Sequence, residues 1–258
     1  MKARKILWVD LQPSLYCLFK RTAQTLGKHF EVSRWTLEHD LDESCNTEEI
    51  HKLLKETIGN ASSPFHLIGH GISGTVAYQY AQKYPKNISS LSLLSVDTNS
   101  SNQWTNYYQS MRSQLPCPRQ HILSHLSSLL IDRHAEQVQE IMSKMLANCL
   151  DNDFVYGSII KSQAIENLSK IKLPTLIINS INDFVVNEQS HERWMHYLKP
   201  GDCYQNMAKG RHFFPFTEWI QTAEMISAFI EMIPEQEENI FPECYRRINT
   251  NKINSQLK

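Results

Sequence analysis

The sequence predicts an α/β protein built on a doubly wound, mostly parallel sheet. Short apolar runs recur along the chain, at residues 6–9 (ILWV), 65–68 (FHLI), 91–96 (LSLLSV) and 174–179 (PTLIIN). Helical periodicities stand between them, and strands alternating with helices are the pattern of crossover-connected parallel strands. With 258 residues, 41% of them hydrophobic, the chain is long enough to bury one large core.

The first strand is residues 6–9, after which Pro13 opens a helix that lines up Leu15, Leu18, Phe19, Thr22, Ala23 and Leu26. Residues 31–37 alternate loosely and make the next strand. Asn46 with Glu49 three residues on has the form of a capping box, leading into Ile50, Leu53, Leu54 and Ile58. Residues 65–85 (FHLIGHGISGTVAYQYAQKYP) then read as a strand, a sharp turn and a helix from Thr75 that stops before Pro85. Residues 91–96 supply a further strand. From residue 98 to 172 the strand signal disappears and Leu123, Leu126, Leu129, Leu130, Val138, Ile141, Met142, Met145 and Leu146 mark helical faces. The sheet resumes at 174–179, followed by a helix over 188–198, a short strand over 202–207 and a closing helix over 217–233 with Trp219, Ile220, Ala223, Ile226, Phe229, Ile230 and Ile233 inward. After Pro234 the text is too poor in apolar residues to build a core of its own. Residues 1–97 and 173–233 are therefore expected to form the core, 98–172 a helical insertion and 234–258 a loosely held tail.

The turn Gly69-His70-Gly71-Ile72-Ser73-Gly74 resembles the nucleophile elbow of the α/β-hydrolase superfamily, in which GxSxG raises a serine on a strained strand-to-helix turn. Aligned on Gly69, His70 and Gly74, the nucleophile position falls on Gly71. A non-glycine residue there costs of order 1–3 kcal/mol, a strain kept for chemistry, whereas glycine takes the same turn without a Cβ clash. Ser73, two positions on, is read as a packing residue of the first helical turn.

The resemblance covers nearly all of residues 5–233 and implies the superfamily's order of nucleophile, acid and histidine. Asp183, after the strand in PTLIINSIND, is similar to the acid loop, and His212, in AKGRHFFPFTEW, to the histidine loop. Asp97 is an alternative acid, with a turn or capping role as its other reading. An Asp-His pair fixes the imidazole tautomer and makes the free nitrogen a base toward a serine, a water or a substrate; it also ties two loops together. The resemblance further implies an oxyanion turn after the first strand, where this chain has Asp10 and Leu11, while the amide of Ile72 at the helix start supplies one donor. The insertion resembles a cap over the site, and the pocket candidates are Asp10, His70, Ser95, Trp104, Tyr107 and Tyr108.

A net charge of −1 gives no electrostatic reason to expect nucleic acid. The N-terminal apolar run is shorter than a signal-peptide core or a membrane span, so no membrane span and a cytoplasmic location are expected. Six scattered cysteines without a CxxC pair read as buried thiols. His121 and His125 have i, i+4 spacing but no third ligand, so no metal is expected, and no cofactor either. Two functional readings remain. One is a protein without the serine nucleophile that binds a small apolar ligand under the cap or a protein partner. The other is a non-covalent enzyme, acting on an ester-like or other small substrate as a water-activating hydrolase, a lyase or a cofactor-independent oxygenase, with Asp183 and His212 as its general-base pair.

Overall fold

The computed structural model describes residues 4–37, 45–99, 103–132, 136–153 and 171–234. The tail after Pro234 and residues 154–170 of the insertion lie outside the described residues. Six strands form one sheet: β1 (Lys5–Asp10), β2 (Glu31–Thr36), β3 (Phe65–His70), β4 (Ile88–Leu94), β5 (Thr175–Ser180) and β6 (Cys203–Met207). Their order is β2-β1-β3-β4-β5-β6 and every neighbouring pair is parallel. The order reverses between β1 and β3. In such sheets the crevice at the carboxyl ends of the strands, beside that reversal, is where ligands sit.

The helices are α1 (Lys20–Leu26), α2 (Thr47–Gly59), α3 (Gly71–Lys83), α4 (Trp104–Gln114), α5 (Arg119–Leu130), α6 (Glu136–Asn152), α7 (Gln189–Met195), the single turn α8 (Phe214–Thr217) and α9 (Trp219–Met232). Strand residues alternate between two cores, as a sheet covered on both faces requires. Ile6, Trp8, Ile68, Leu94, Leu176 and Ile178 face one core, shared with α1, α9 and apolar residues of α4, α5 and α6. Leu7, Val9, Leu67, Leu91, Leu93 and Ile177 face the other, shared with α2, α3 and Trp194 of α7.

Local chemistry explains the start of α2. Asn46 caps α2 by accepting from the amides of Glu48 and Glu49, at 2.9 and 3.1 Å, and Glu49 returns the bond to the amide of Asn46. Four expectations change. The helix opened by Pro13 is a 3-10 turn (Pro13–Leu18) followed by α1, and Cys17 on that turn is exposed instead of buried. Helix α3 begins at Gly71 instead of Thr75, because the turn joins the helix directly. Strand β4 runs Ile88–Leu94, so Ser95 and Val96 lie beyond its end. The closing helix breaks at Glu218, the register restarts, and Ile220 comes out 50% exposed on the outer face.

Candidate functional site

The strand-to-helix turn is built from close approach. A Cβ on Gly69 would stand 2.6 Å from the Cα and the nitrogen of Gly74, and a Cβ on Gly74 would meet Val96 Cγ2 at 2.5 Å and the carbonyl oxygen of Gly69 at 2.7 Å. Only two glycines allow α3 to leave β3 this tightly. Between them Gly71 has φ +50°, in the left-handed region. A Cβ placed there would clash with no atom of the described residues. It would stand 3.5 Å from Gln103 Oε1 and 3.8 Å from His212 Nε2.

His212 sits in the loop after β6 and is 1% exposed. Its Nδ1 donates to Asp183 Oδ2 at 2.9 Å. Asp183, after β5, is held in turn by the amides of Val185 and Val186, which donate to Oδ1 at 2.8 and 3.2 Å. The carbonyl of His212 accepts from His70 Nε2 at 2.9 Å and from Ser95 Oγ at 2.7 Å. Burial, and the neighbouring His212, hold His70 well below the usual histidine pKa, so it is the neutral Nε2–H tautomer that donates. Its ring stacks on Phe213 with centroids 5.1 Å apart. Ser95 and Arg211 both have positive φ, +49° and +50°, and both serve the histidine loop. Strain of this kind persists where surrounding bonds over-determine the backbone. Around Arg211 those bonds come from the end of α5: Asp132 accepts from the Gly210 amide at 2.7 Å, Arg211 donates to the carbonyl of Ser128, and the Phe213 amide donates to the carbonyl of Leu130 at 3.0 Å.

With Nδ1 committed to Asp183, the lone pair of His212 is on Nε2. That nitrogen is buried and has no hydrogen-bond partner among the described residues. An unmade bond of this kind costs roughly 1–3 kcal/mol.

The other predicted residues separate into those at this point and those turned away. Asp97 is not on His212. Its side chain is fully buried and takes both Arg193 Nε, at 3.0 Å, and Arg193 Nη2, which corrects its reading as an alternative acid. Asp97→Asn is expected to cost roughly 2 kcal/mol while leaving the His212 tautomer as it is, because a partly exposed Arg193 loses its counter-charge. Asp183→Asn is expected to redistribute that tautomer, and nitrogen NMR of the imidazole separates the two outcomes.

Asp10 is turned to β2, where Arg34 Nε donates to it at 2.8 Å, and the amide of Gln12 donates to its other oxygen at 2.9 Å. Burial raises its pKa even so. It therefore does not point into the site. The amide of Leu11, an oxyanion-type candidate, donates to Ser73 Oγ at 3.0 Å. Ser73 is thereby a tether between β1 and α3. The amide of Ile72 stays in the first turn of α3, where amides lack intrahelical partners and His70 offers no side-chain cap. Trp104 and Tyr108 belong to the core, whereas Tyr107 sets its ring against Phe184, next to Asp183, at 4.9 Å between centroids. Gln103 was missed by sequence reading, because a single glutamine before a helix carries no pattern; only proximity to Gly71 marks it. His121 and His125 are exposed on α5, and no cluster of three metal-ligating side chains occurs among the described residues.

Three buried histidines give the stability a pH dependence of known sign. Burial lowers the pKa of His51 and His70, and it takes His66, bonded to Ser90 Oγ, down to about 4. Below about 6.5 the unfolded chain binds protons that the native histidines refuse, so stability falls with pH, for His66 until about pH 4. Asp10 and Asp153, raised by burial, act in the opposite sense just above the ordinary carboxylate range. Urea midpoints are expected to be lower at pH 5 than at pH 7.5, with a smaller difference in His66→Gln.

No protein-family model matches the chain. Among solved structures it is similar to an esterase from Exiguobacterium antarcticum (12% identity, TM-score 0.66, covering 88% of this chain and 92% of that one). It is also similar to a meta-cleavage product hydrolase from Pseudomonas fluorescens IP01 (13%, 0.68, 89% and 90%) and to an enol-lactonase from Burkholderia xenovorans LB400 (15%, 0.64, 90% and 92%). At these identities the likeness is one of fold, and with the parallel sheet and its helices it makes this an α/β-hydrolase fold. In sequence, the uncharacterized protein sll0249 from Synechocystis sp. is 29% identical over 238 residues, 90% of this chain and 92% of that protein. The uncharacterized protein alr2406 from Nostoc sp. is 31% identical over 214 residues, 82% of this chain and 84% of that protein. The chain therefore has the α/β-hydrolase fold and belongs to the same family as the Nostoc protein alr2406.

Proposed function

We propose that this protein is an α/β-hydrolase-fold member without a serine nucleophile, which binds a small, largely apolar ligand above Gly71, with α4, α5 and α6 forming part of a cap. The observation that carries this reading is His212 Nε2: a buried, oriented acceptor, without a hydrogen-bond partner among the described residues, beside the point where residue 71 would bear its side chain. A ligand that donates one hydrogen bond there offsets the cost of burying that nitrogen. The Tyr107 and Phe184 rings beside Asp183 favour an aromatic or otherwise apolar body for the ligand.

Acyl transfer is disfavoured by the same residues. Gly71 has nothing to acylate, and Leu11, where the second oxyanion donor belongs, directs its amide to Ser73 Oγ. The second reading, a general base without covalent catalysis, is favoured by the His212–Asp183 bond, which leaves a basic lone pair on Nε2. Thermal shifts with a panel of small aromatic and aliphatic alcohols, acids and esters, read on wild type and His212→Ala, test both. The expected result is that at least one class raises the wild-type melting temperature and loses that effect in the variant. Turnover of an ester that disappears in His212→Ala assigns the base role. Equal shifts in both proteins for every compound that binds, or none in either, contradict the reading.

A further inference from the structure

We propose that Asp132, at the end of α5, is a positioning residue for His212: it holds the histidine loop in the strained form that keeps the imidazole on Asp183. The orientation of His212 Nε2 is thereby tied to the helical insertion. The assignment goes beyond the ligand-binding reading and is tested without a ligand.

The last turn of α5 grips the chain on both sides of His212. Before it, Asp132 Oδ2 accepts from the Gly210 amide at 2.7 Å, Asp132 Oδ1 lies 3.5 Å from Arg211 Nε, and Arg211 donates to the carbonyl of Ser128. After it, the Phe213 amide donates to the carbonyl of Leu130 at 3.0 Å. The last carbonyls of a helix lack partners within it, so the loop caps α5 while α5 shapes the loop. Gly210 takes its φ of +97° at little cost, but Arg211, at +50° and directly before His212, does not. Freed, Arg211 returns to negative φ, and that rotation turns the adjoining peptide unit and carries the imidazole off Asp183.

Asp132 is placed to prevent this, because one carboxylate faces two consecutive residues of the turn. Its ion pair with Arg211 is partly open to solvent, the side chains being 35% and 29% exposed, and contributes little. The bond to the Gly210 amide carries the grip. Elsewhere α5 is core: Leu126 and Leu130 share it with Tyr108 of α4 and with Met142 and Leu146 of α6. A displacement of the insertion is therefore passed to His212.

The test follows the Nδ1 proton of His212, held by Asp183, by NMR of the full-length protein, and reads its exchange with water. In Asp132→Ala that exchange is expected to be about tenfold faster than in wild type, since the open form of the loop becomes more populated. Asp132→Asn, whose amide oxygen still accepts from Gly210, is expected to stay within about threefold of wild type. Asp151→Ala is the control: it removes the partner of Arg119 at the other end of α5 and is expected to leave the exchange unchanged. Arg211→Ala loses the bond to Ser128 and keeps the cost of positive φ, so it too is expected to speed exchange, and it keeps the proposal testable if Asp132→Ala does not fold. Wild-type exchange in Asp132→Ala and Arg211→Ala overturns the proposal. So does a rise in Asp151→Ala as large as that in Asp132→Ala, which marks a general loss of stability. Either result leaves the ligand-binding reading standing, and the failure of that reading leaves this assignment as it is.

Discussion

Gly71→Ser is expected to give the protein a burst of 4-nitrophenol from 4-nitrophenyl acetate, with one acetyl group retained per chain, where wild type gives neither. The backbone at residue 71 already has the φ of an elbow nucleophile, +50°, and among the described residues the added Cβ meets no atom closer than 3.5 Å. It lands 3.8 Å from His212 Nε2, so a serine oxygen carried one bond further toward that nitrogen comes within hydrogen-bond range. His212 is already oriented by Asp183. One substitution therefore completes a nucleophile, base and acid in the order of the fold. Deacylation is expected to be slow: with the Leu11 amide on Ser73 Oγ, one oxyanion donor is missing, which typically costs about 100- to 1,000-fold in turnover. The positive φ adds a stability cost of about 1–3 kcal/mol. Acetyl retention is read by intact mass, and the double substitution Gly71→Ser with His212→Ala is expected to abolish it.

The largest stability loss is expected at the glycines on either side. Gly69→Ala drives a methyl into backbone atoms of Ser73 and Gly74 at 2.6–2.8 Å, and Gly74→Ala drives one into Val96 Cγ2 and the Gly69 carbonyl at 2.5–2.7 Å. Backbone cannot rotate away as a flexible side chain can, so α3 must move off β3. Overpacking costs typically about 1–3 kcal/mol, and here the upper end or more is expected, measured as a fall in urea midpoint with an unchanged slope. Gly59→Ala is the control, since nothing among the described residues lies within 4 Å of its Cβ and alanine suits a helix end better than glycine. If Gly59→Ala and Gly74→Ala unfold alike, the close approach of β3 and α3 is not what those glycines are for.

Much of this was legible in the sequence because the signals were local. Apolar runs bounded by turn residues located β1, β3 and β5 within two residues of their ends, and the Asn46–Glu49 pair placed the start of α2. The glycine spacing of the elbow was readable for the same reason: it encodes one turn. What could not be read were pairings between distant residues of ordinary type. Asp97 and Asp183 both follow strands, and only their partners, Arg193 and His212, tell them apart. Asp10 faces Arg34 because β2 is its neighbour in the sheet, a fact of strand order. The break at Glu218 left a continuous apolar pattern on either side, so Ile220 was read as inward. Gln103 had no pattern at all.

The central claim is that the site above Gly71 acts without a covalent nucleophile. Intact mass of the wild-type protein after exposure to a fluorophosphonate tests it most directly. The predicted result is an unchanged mass, at reagent levels that label Gly71→Ser to completion. A stoichiometric adduct on wild type, mapped to Ser73, Ser95 or any other serine and lost in His212→Ala, would contradict the account and move the nucleophile to the labelled residue.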